Sequence, residues 1–181
     1  MNLFENVRKQ GALNLDGNSW AQVHDNASLD IVDEVTLELW YYHKETSNIS
    51  QLIGKRKNGD VNWLRIYSAS TNTVKLERNG GAASGNFVIT ENAWNHITAT
   101  IDSSDNMKFY IGGTQVGSAS SFAPWGLNTT GVLGIGAWIN NGNVTGNSIA
   151  SGQLAQPRIY NRALTASEVL NNYNVTKDLY I

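Results

Sequence analysis

The chain has 181 residues, 15 acidic against 13 basic side chains, no cysteine, 6 tryptophans, 17 glycines and 2 prolines. A net charge of −2 excludes the electrostatic footprint that nucleic acid or an anionic membrane surface requires, and the lack of cysteine excludes disulfides and thiolate chemistry. Charged residues make up 15% against roughly 25% in an average globular protein, and 23 asparagines carry much of the missing polarity. A surface rich in amides and aromatics suits an uncharged polar ligand.

No apolar run approaches the ~18 residues of a membrane-crossing helix, so no membrane insertion is expected. Met1–Gln10 has charges where a signal peptide is apolar. No linker or repeat divides the sequence, which predicts one domain over residues 1–181.

Taken in chain order, short segments of period-two alternation lie between turn signals. Asp16-Gly17 closes the first segment. Val35, Leu37 and Leu39 share one face of the next. In Asn62–Tyr67, Leu64 and Ile66 point one way and Trp63, Arg65 and Tyr67 the other. Ile97, Ala99 and Ile101 form an inward set, as do Met107, Phe109 and Ile111. Gly112-Gly113 then marks a turn, of a looser hairpin than an Asp-Gly pair would make. Over 132–139, Leu133, Ile135, Ala137 and Ile139 share a face and Trp138 opposes them. Many short antiparallel strands imply an all-β, two-sheet sandwich or jelly roll. Pro157 falls in a late strand, where it belongs at an edge or bulge. Thr165-Ala166-Ser167-Glu168 is a capping box opening a short C-terminal helix, with Val169, Leu170 and Tyr173 as its docking stripe.

The order of these motifs resembles the laminin-G-like, or concanavalin A-like, jelly-roll family. Ala12–Gly17 is similar to its opening strand, Val35–Trp40 to its next signature, and Trp94–Asp102 to its central strand. Phe109–Gly113, Leu133–Gly136 and Gly152–Val169 follow in the family's order. The resemblance implies a jelly roll with a short C-terminal helix. It also implies a binding module of carbohydrate-binding or lectin type, since most members are such modules. Members often bind calcium through the carboxylate at the position of Asp16 and an acidic residue in the closing strand. Here that strand reads Leu154-Ala155-Gln156, so Asp16 is left either as a metal ligand short of its partner or as the cap of its own turn. Residues 171–177 resemble the tail of such domains in phage structural proteins.

Catalysis finds little support. Glycoside hydrolysis needs two carboxyl groups across the scissile bond, and no run of alternating acids occurs. Glu38 sits at a structural position of the family pattern and reads as a bonded carboxylate. His24, His43 and His96 lack metal-ligand spacing, and His96 reads as a sheet-face residue. No nucleophile elbow or phosphate loop is present.

The aromatics carry the functional reading. Trp20, Trp40 and Trp94 read as packing. Trp63, Arg65 and Tyr67 stand opposite the core side of their strand, either as a stripe for sugar rings or as a stripe covered by the 120–130 loop. Trp138 with Asn140 and Asn141, and Trp125 at an expected loop tip, complete the candidate glycan site. Asn58, Asp60 and Asn62 serve either as ligands to hydroxyls or as turn residues.

The expected function is non-catalytic recognition of a neutral polysaccharide or oligosaccharide. The alternatives are a virion or cell-surface structural domain with a protein partner, within a larger assembly, and a glycoside hydrolase or lyase. The expected location is extracellular or virion.

Overall fold

A computed structural model describes residues 11–44, 49–57, 63–70, 72–78, 84–122, 125–140, 143–145 and 149–181. Among these, fourteen strands run in chain order: β1 Ala12–Asp16, β2 Ala21–Val23, β3 Val35–His43, β4 Ser50–Lys55, β5 Leu64–Ser70, β6 Thr73–Arg78 and β7 Phe87–Val88. They continue as β8 Trp94–Ile101, β9 Asn106–Ile111, β10 Thr114–Ser121, β11 Leu133–Ile135, β12 Ile139–Asn140, β13 Asn143–Val144 and β14 Ser151–Tyr160. A helix, α1 Ala166–Thr176, follows.

Ten-residue β14 lies between β1 and β3, in a six-stranded sheet A of order β1-β14-β3-β8-β9-β10. Sheet B, also six-stranded, has the order β2-β11-β4-β5-β6-β7. The strand pairs of both sheets are antiparallel, and β12 and β13 form a small separate hairpin. The two sheets make the expected jelly-roll sandwich. Its interior is filled by Leu37, Leu39, Leu64, Ile66, Leu76, Ile97 and Phe109, each at most 1% exposed, and burial of such side chains is the main force holding the sheets together.

The alternation in β3, β5, β8 and β9 gives the inward sets that the sequence predicts. The run over 132–139 departs from expectation. Gly136 takes a φ of 80° and breaks it into β11 and β12, although Ala137 and Ile139 remain buried. Pro157 sits in a bulge: the register of β14 on β3 shifts between Ala155 and Arg158, with Gln156 at a φ of 47°. A bulge spares the ladder the hydrogen bond that proline lacks. Trp20 does not pack as expected. It is 41% exposed, just before β2, a three-residue strand at the edge of sheet B.

The helix opens on the predicted capping box. The Thr165 hydroxyl accepts from the Glu168 amide at 3.3 Å, and Glu168 Oε2 accepts from the Thr165 amide at 2.8 Å. The helix covers the outer face of sheet A. Val169 is fully buried against Tyr110 and Leu164, whereas Leu170 is half in solvent. The β9–β10 hairpin turns on Gly112 and Gly113, both at positive φ. A Cβ on Gly113 would stand 3.0 Å from Tyr173 Cβ and 3.1 Å from Leu170 Cδ1, so this glycine also admits the helix.

Beneath α1 lies a polar-aromatic layer formed by the outward residues of β3 and β8. Trp40 Nε1 donates to Thr176 Oγ1 at 3.0 Å, and the Trp40 ring lies 5.8 Å from that of Tyr173 and 4.7 Å from that of Tyr180. Trp94 packs at the rim on Tyr42 and Tyr180. The helix seals this face of the sandwich, leaving the outer face of sheet B as the place to look for a ligand.

Candidate functional site

The site is set by β5. Leu64 and Ile66 go into the core, so Arg65 and Tyr67 go out. Register places Arg65 between Gly54 on β4 and Glu77 on β6, and Tyr67 between Gln51 and Lys75. Gly54 matters here. A Cβ on it would lie 2.3 Å from Arg65 Cβ and 2.7 Å from the Leu64 carbonyl oxygen, so only glycine lets Arg65 sit flat against β4. Arg65 Nε donates to Glu77 Oε2 at 2.6 Å, and Nη2 reaches the same oxygen.

Two guanidinium groups and three rings then interleave. The Arg56 guanidinium carbon is 4.1 Å from the Trp63 ring centroid and 3.7 Å from that of Trp138. That of Arg65 is 4.6 Å from Tyr67 and 5.7 Å from Trp138. These distances lie within the roughly 6 Å over which a cation is attracted to a ring face. Arg56 is thus held between two indoles. Burial weakens its hold on its proton, the positive charge of Arg65 adds to that, and Glu77 opposes both. Burial also pushes the Tyr67 hydroxyl up, with Glu77 adding to the rise and Arg65 opposing it.

The structure therefore brings Trp63, Arg65, Tyr67 and Trp138 together, but not as an open stripe. Trp63, Arg65 and Tyr67 are only 5%, 7% and 8% exposed, and their ring faces are taken by arginines of the same chain. Of the 120–130 segment, Trp125 and Leu127 belong to the core, while Thr130 accepts from Lys57 Nζ at 2.8 Å, next to Arg56. Trp125 corrects the expectation of a loop-tip ligand. It is 7% exposed, and its Nε1 donates to Asp105 Oδ1 at 2.8 Å, because burying the ring recovers apolar area that a loop tip would waste. Asn140 is half-buried in β12, two residues past Trp138. Asn141, like Asn58, Asp60 and Asn62, lies outside the described residues.

Arg56, Gln51, Gly54 and Glu77 are site residues that the strand patterns did not single out. Gly54 and Arg56 share parity just before the turn into β5, and that parity is the signal that could have found them.

Asp16 is exposed and caps its own turn, its Oδ1 accepting from the Asn18 amide at 2.9 Å. That bond, with help from Ser19, lowers its carboxyl below the usual range. Opposite it on β14 stands Ser151. Among the described residues no group of three or more acidic or histidine side chains could hold a metal ion. Of the 6–8 oxygen ligands that calcium takes from carboxylates, carbonyls and water, Asp16 brings one carboxylate.

Glu38 is in the sealed layer beneath α1, 1% exposed. Arg158 Nη1 donates to its Oε1 at 2.7 Å and Asn172 Nδ2 to its Oε2 at 2.9 Å, with His96 Nε2 at 3.5 Å. Burial would raise this carboxyl. The nearby His96 ring and the bonds from Asn172 and Arg158 outweigh burial and hold it below the ordinary value. A cleft of about 350 Å³ lies nearby, between the end of β14 and the start of α1. Its charges, Arg162 and Glu168, pair with each other at 2.8 Å.

Residues 15–170 match the family described as the Concanavalin A-like lectin/glucanases superfamily. The chain belongs to that superfamily. Its curated relatives include human neuronal pentraxin-1, 29% identical over 140 residues, which covers 75% of this chain and 32% of the pentraxin. The chain thus spans about a third of the length of the pentraxins it matches. Among solved structures, the superfamily fold recurs in the Ruminococcus gnavus IT-sialidase CBM40 bound to α2,3-sialyllactose. There the TM-score is 0.72 with 14% identity, covering 91% of this chain and 97% of that one. It recurs in the binding domain of Paraclostridial Mosquitocidal Protein 1 at a TM-score of 0.67 and 21% identity, covering 91% and 42%.

Proposed function

We propose that this domain is a non-catalytic glycan-binding module whose site is the arginine-aromatic face of sheet B, centred on Arg65, Tyr67 and Trp138 with Asn140 at its margin. The observation that carries the reading is the meeting of Trp63, just before β5, and Arg65 and Tyr67 along it, with Arg56 from the end of β4 and Trp138 from the segment after β11. Sugar hydroxyls accept hydrogen bonds from fixed guanidinium and amide donors. In this arrangement the buried rings and Arg65 hold the face in place, and the partly exposed Arg56 meets the sugar. The fold neighbours support the reading, since one is a carbohydrate-binding module seen with a sialylated sugar.

A hydrolase is less well supported. Glycoside hydrolysis needs two carboxyl groups about the scissile bond. Glu77 is tied to Arg65, and Glu38 lies under the helix on the far side of the sandwich. A protein-assembly interface built on the same aromatics also has less support, because this chain's own arginines fill their faces.

A glycan array probed with wild type and with Arg65→Ala tests the proposal. Wild type should bind at least one glycan class, and the variant should lose about tenfold or more in affinity, the worth of a charge-assisted bond pair. Binding by Arg65→Ala equal to wild type would place the site elsewhere.

A further inference from the structure

We propose that the module selects glycans bearing a carboxylate, and that Arg56 receives it. The inference rests on the glycan-binding reading above and departs from the neutral ligand that the low overall charge suggests. It comes from the charge balance of one face. Arg65 and Arg56 lie on the outer side of sheet B, and Lys75 opposes Tyr67 there while Val74 and Leu76 go inward. Glu77 is the carboxylate that pairs with Arg65. Among the described residues no acidic side chain pairs with Arg56 or Lys75. Counted over those residues, the face carries three cations against one anion, in a chain whose total charge is −2. Low total charge gives little long-range pull on polyanions, so the excess acts at short range, on a group placed against it.

Arg56 is built to hold such a group. Among the described residues its guanidinium has no hydrogen bond, and its Nε is sealed from solvent without a partner. Trp138 Nε1, on the ring that Arg56 covers, is likewise buried and unpartnered. Unsatisfied buried donors are costly and uncommon. The indoles of Trp63 and Trp138 fix the plane of the guanidinium, so its fork is ordered before a ligand arrives. A planar fork matches a carboxylate through two parallel N–H···O bonds, which a sugar hydroxyl cannot make. The repulsion Arg56 feels from Arg65 is relieved by the incoming anion.

Calorimetric titration with a uronic-acid oligosaccharide, a sialylated oligosaccharide, their carboxyl-reduced counterparts and a sulfated neutral chain tests the inference. Wild type should bind an acidic sugar at least about tenfold more tightly than its reduced counterpart. The ratio should fall to about one in Arg56→Gln and stay low in Arg56→Lys, which keeps the charge but loses the fork. Equal affinity of wild type for the acidic and reduced forms overturns the proposal without recourse to any variant. Preference for the sulfated chain alone also overturns it, as does an undiminished ratio in a folded Arg56→Gln. If some glycan binds but its carboxyl is irrelevant, only this inference falls; if none binds, the module reading falls with it.

Discussion

Arg158 Nη1 donates to Glu38 Oε1 at 2.7 Å, from β14 across to β3, onto a carboxylate that is 1% exposed. The pair joins the closing strand to the centre of sheet A, and Asn172 brings the helix to the same carboxylate. Removing one partner of a buried ion pair leaves a stranded charge. Arg158 is itself 33% exposed, and Asn172 would still donate, so the loss is moderated. Arg158→Met should cost about 2 kcal/mol. The double variant Glu38→Gln/Arg158→Met should recover much of it. Denaturant midpoints of the two singles and the double measure the coupling.

Acid should weaken this layer. The folded Glu38 carboxyl is held below its ordinary value of 4.5. Its contribution is therefore complete above that value and is lost as pH falls through the lower folded one. Glu168 behaves alike: Arg162 and the Thr165 cap hold it at about 2, so the cap weakens as pH drops from about 4.5 towards 2. Melting temperatures should decline with falling pH below 4.5, and Glu38→Gln should flatten the slope; an unchanged slope would contradict the assignment.

At the head of the helix, Thr165→Ala should cost about 1 kcal/mol, the usual worth of an N-cap side chain. Hydrogen exchange of the Glu168 and Val169 amides should quicken while exchange in β8 is unchanged.

Trp125 and Trp63 should separate by readout. Trp125→Ala opens a cavity in the core and should cost about 3–5 kcal/mol, whereas Trp125→Phe loses little beyond the bond to Asp105, about 1 kcal/mol. Neither should alter glycan affinity per folded molecule. Trp63→Ala removes one side of the Arg56 clamp and should lower affinity more than it lowers stability.

Gly54→Ala should do both. Its Cβ cannot coexist with Arg65 in place, so overpacking of about 1–3 kcal/mol comes with displacement of the site arginine. Retained affinity in a destabilised Gly54→Ala would show that Arg65 need not lie against β4.

Local pattern foretold what is local. The two-residue period of β5 put Leu64 and Ile66 inside, the capping box opened α1, and proline chemistry placed a bulge at Pro157. Non-local packing was not legible. Whether an outward ring meets solvent depends on what crosses it, and Arg56 reaches Trp63 and Trp138 only once β4, β5 and the segment after β11 are together. The same holds for Trp125, whose burial depends on Asp105, 20 residues earlier. Trp40 packs as expected, but on the helix side of its sheet, because α1 supplies a second apolar layer there.

The position of β14 has a consequence for synthesis. β4, β5 and β6 pair with their immediate successors and can zip as they leave the ribosome. β1 and β3 cannot close together, because the strand that belongs between them is made last. Until Ser151–Tyr160 emerges, both carry a row of open backbone donors and acceptors, a template for pairing with other chains. Closure then joins residues as far apart as Ala12 and Ala155, the kind of long-range contact that slows folding. The nascent chain is therefore most prone to aggregate just before its final strand arrives, and shortening that interval should raise its yield more than strengthening any contact in sheet B.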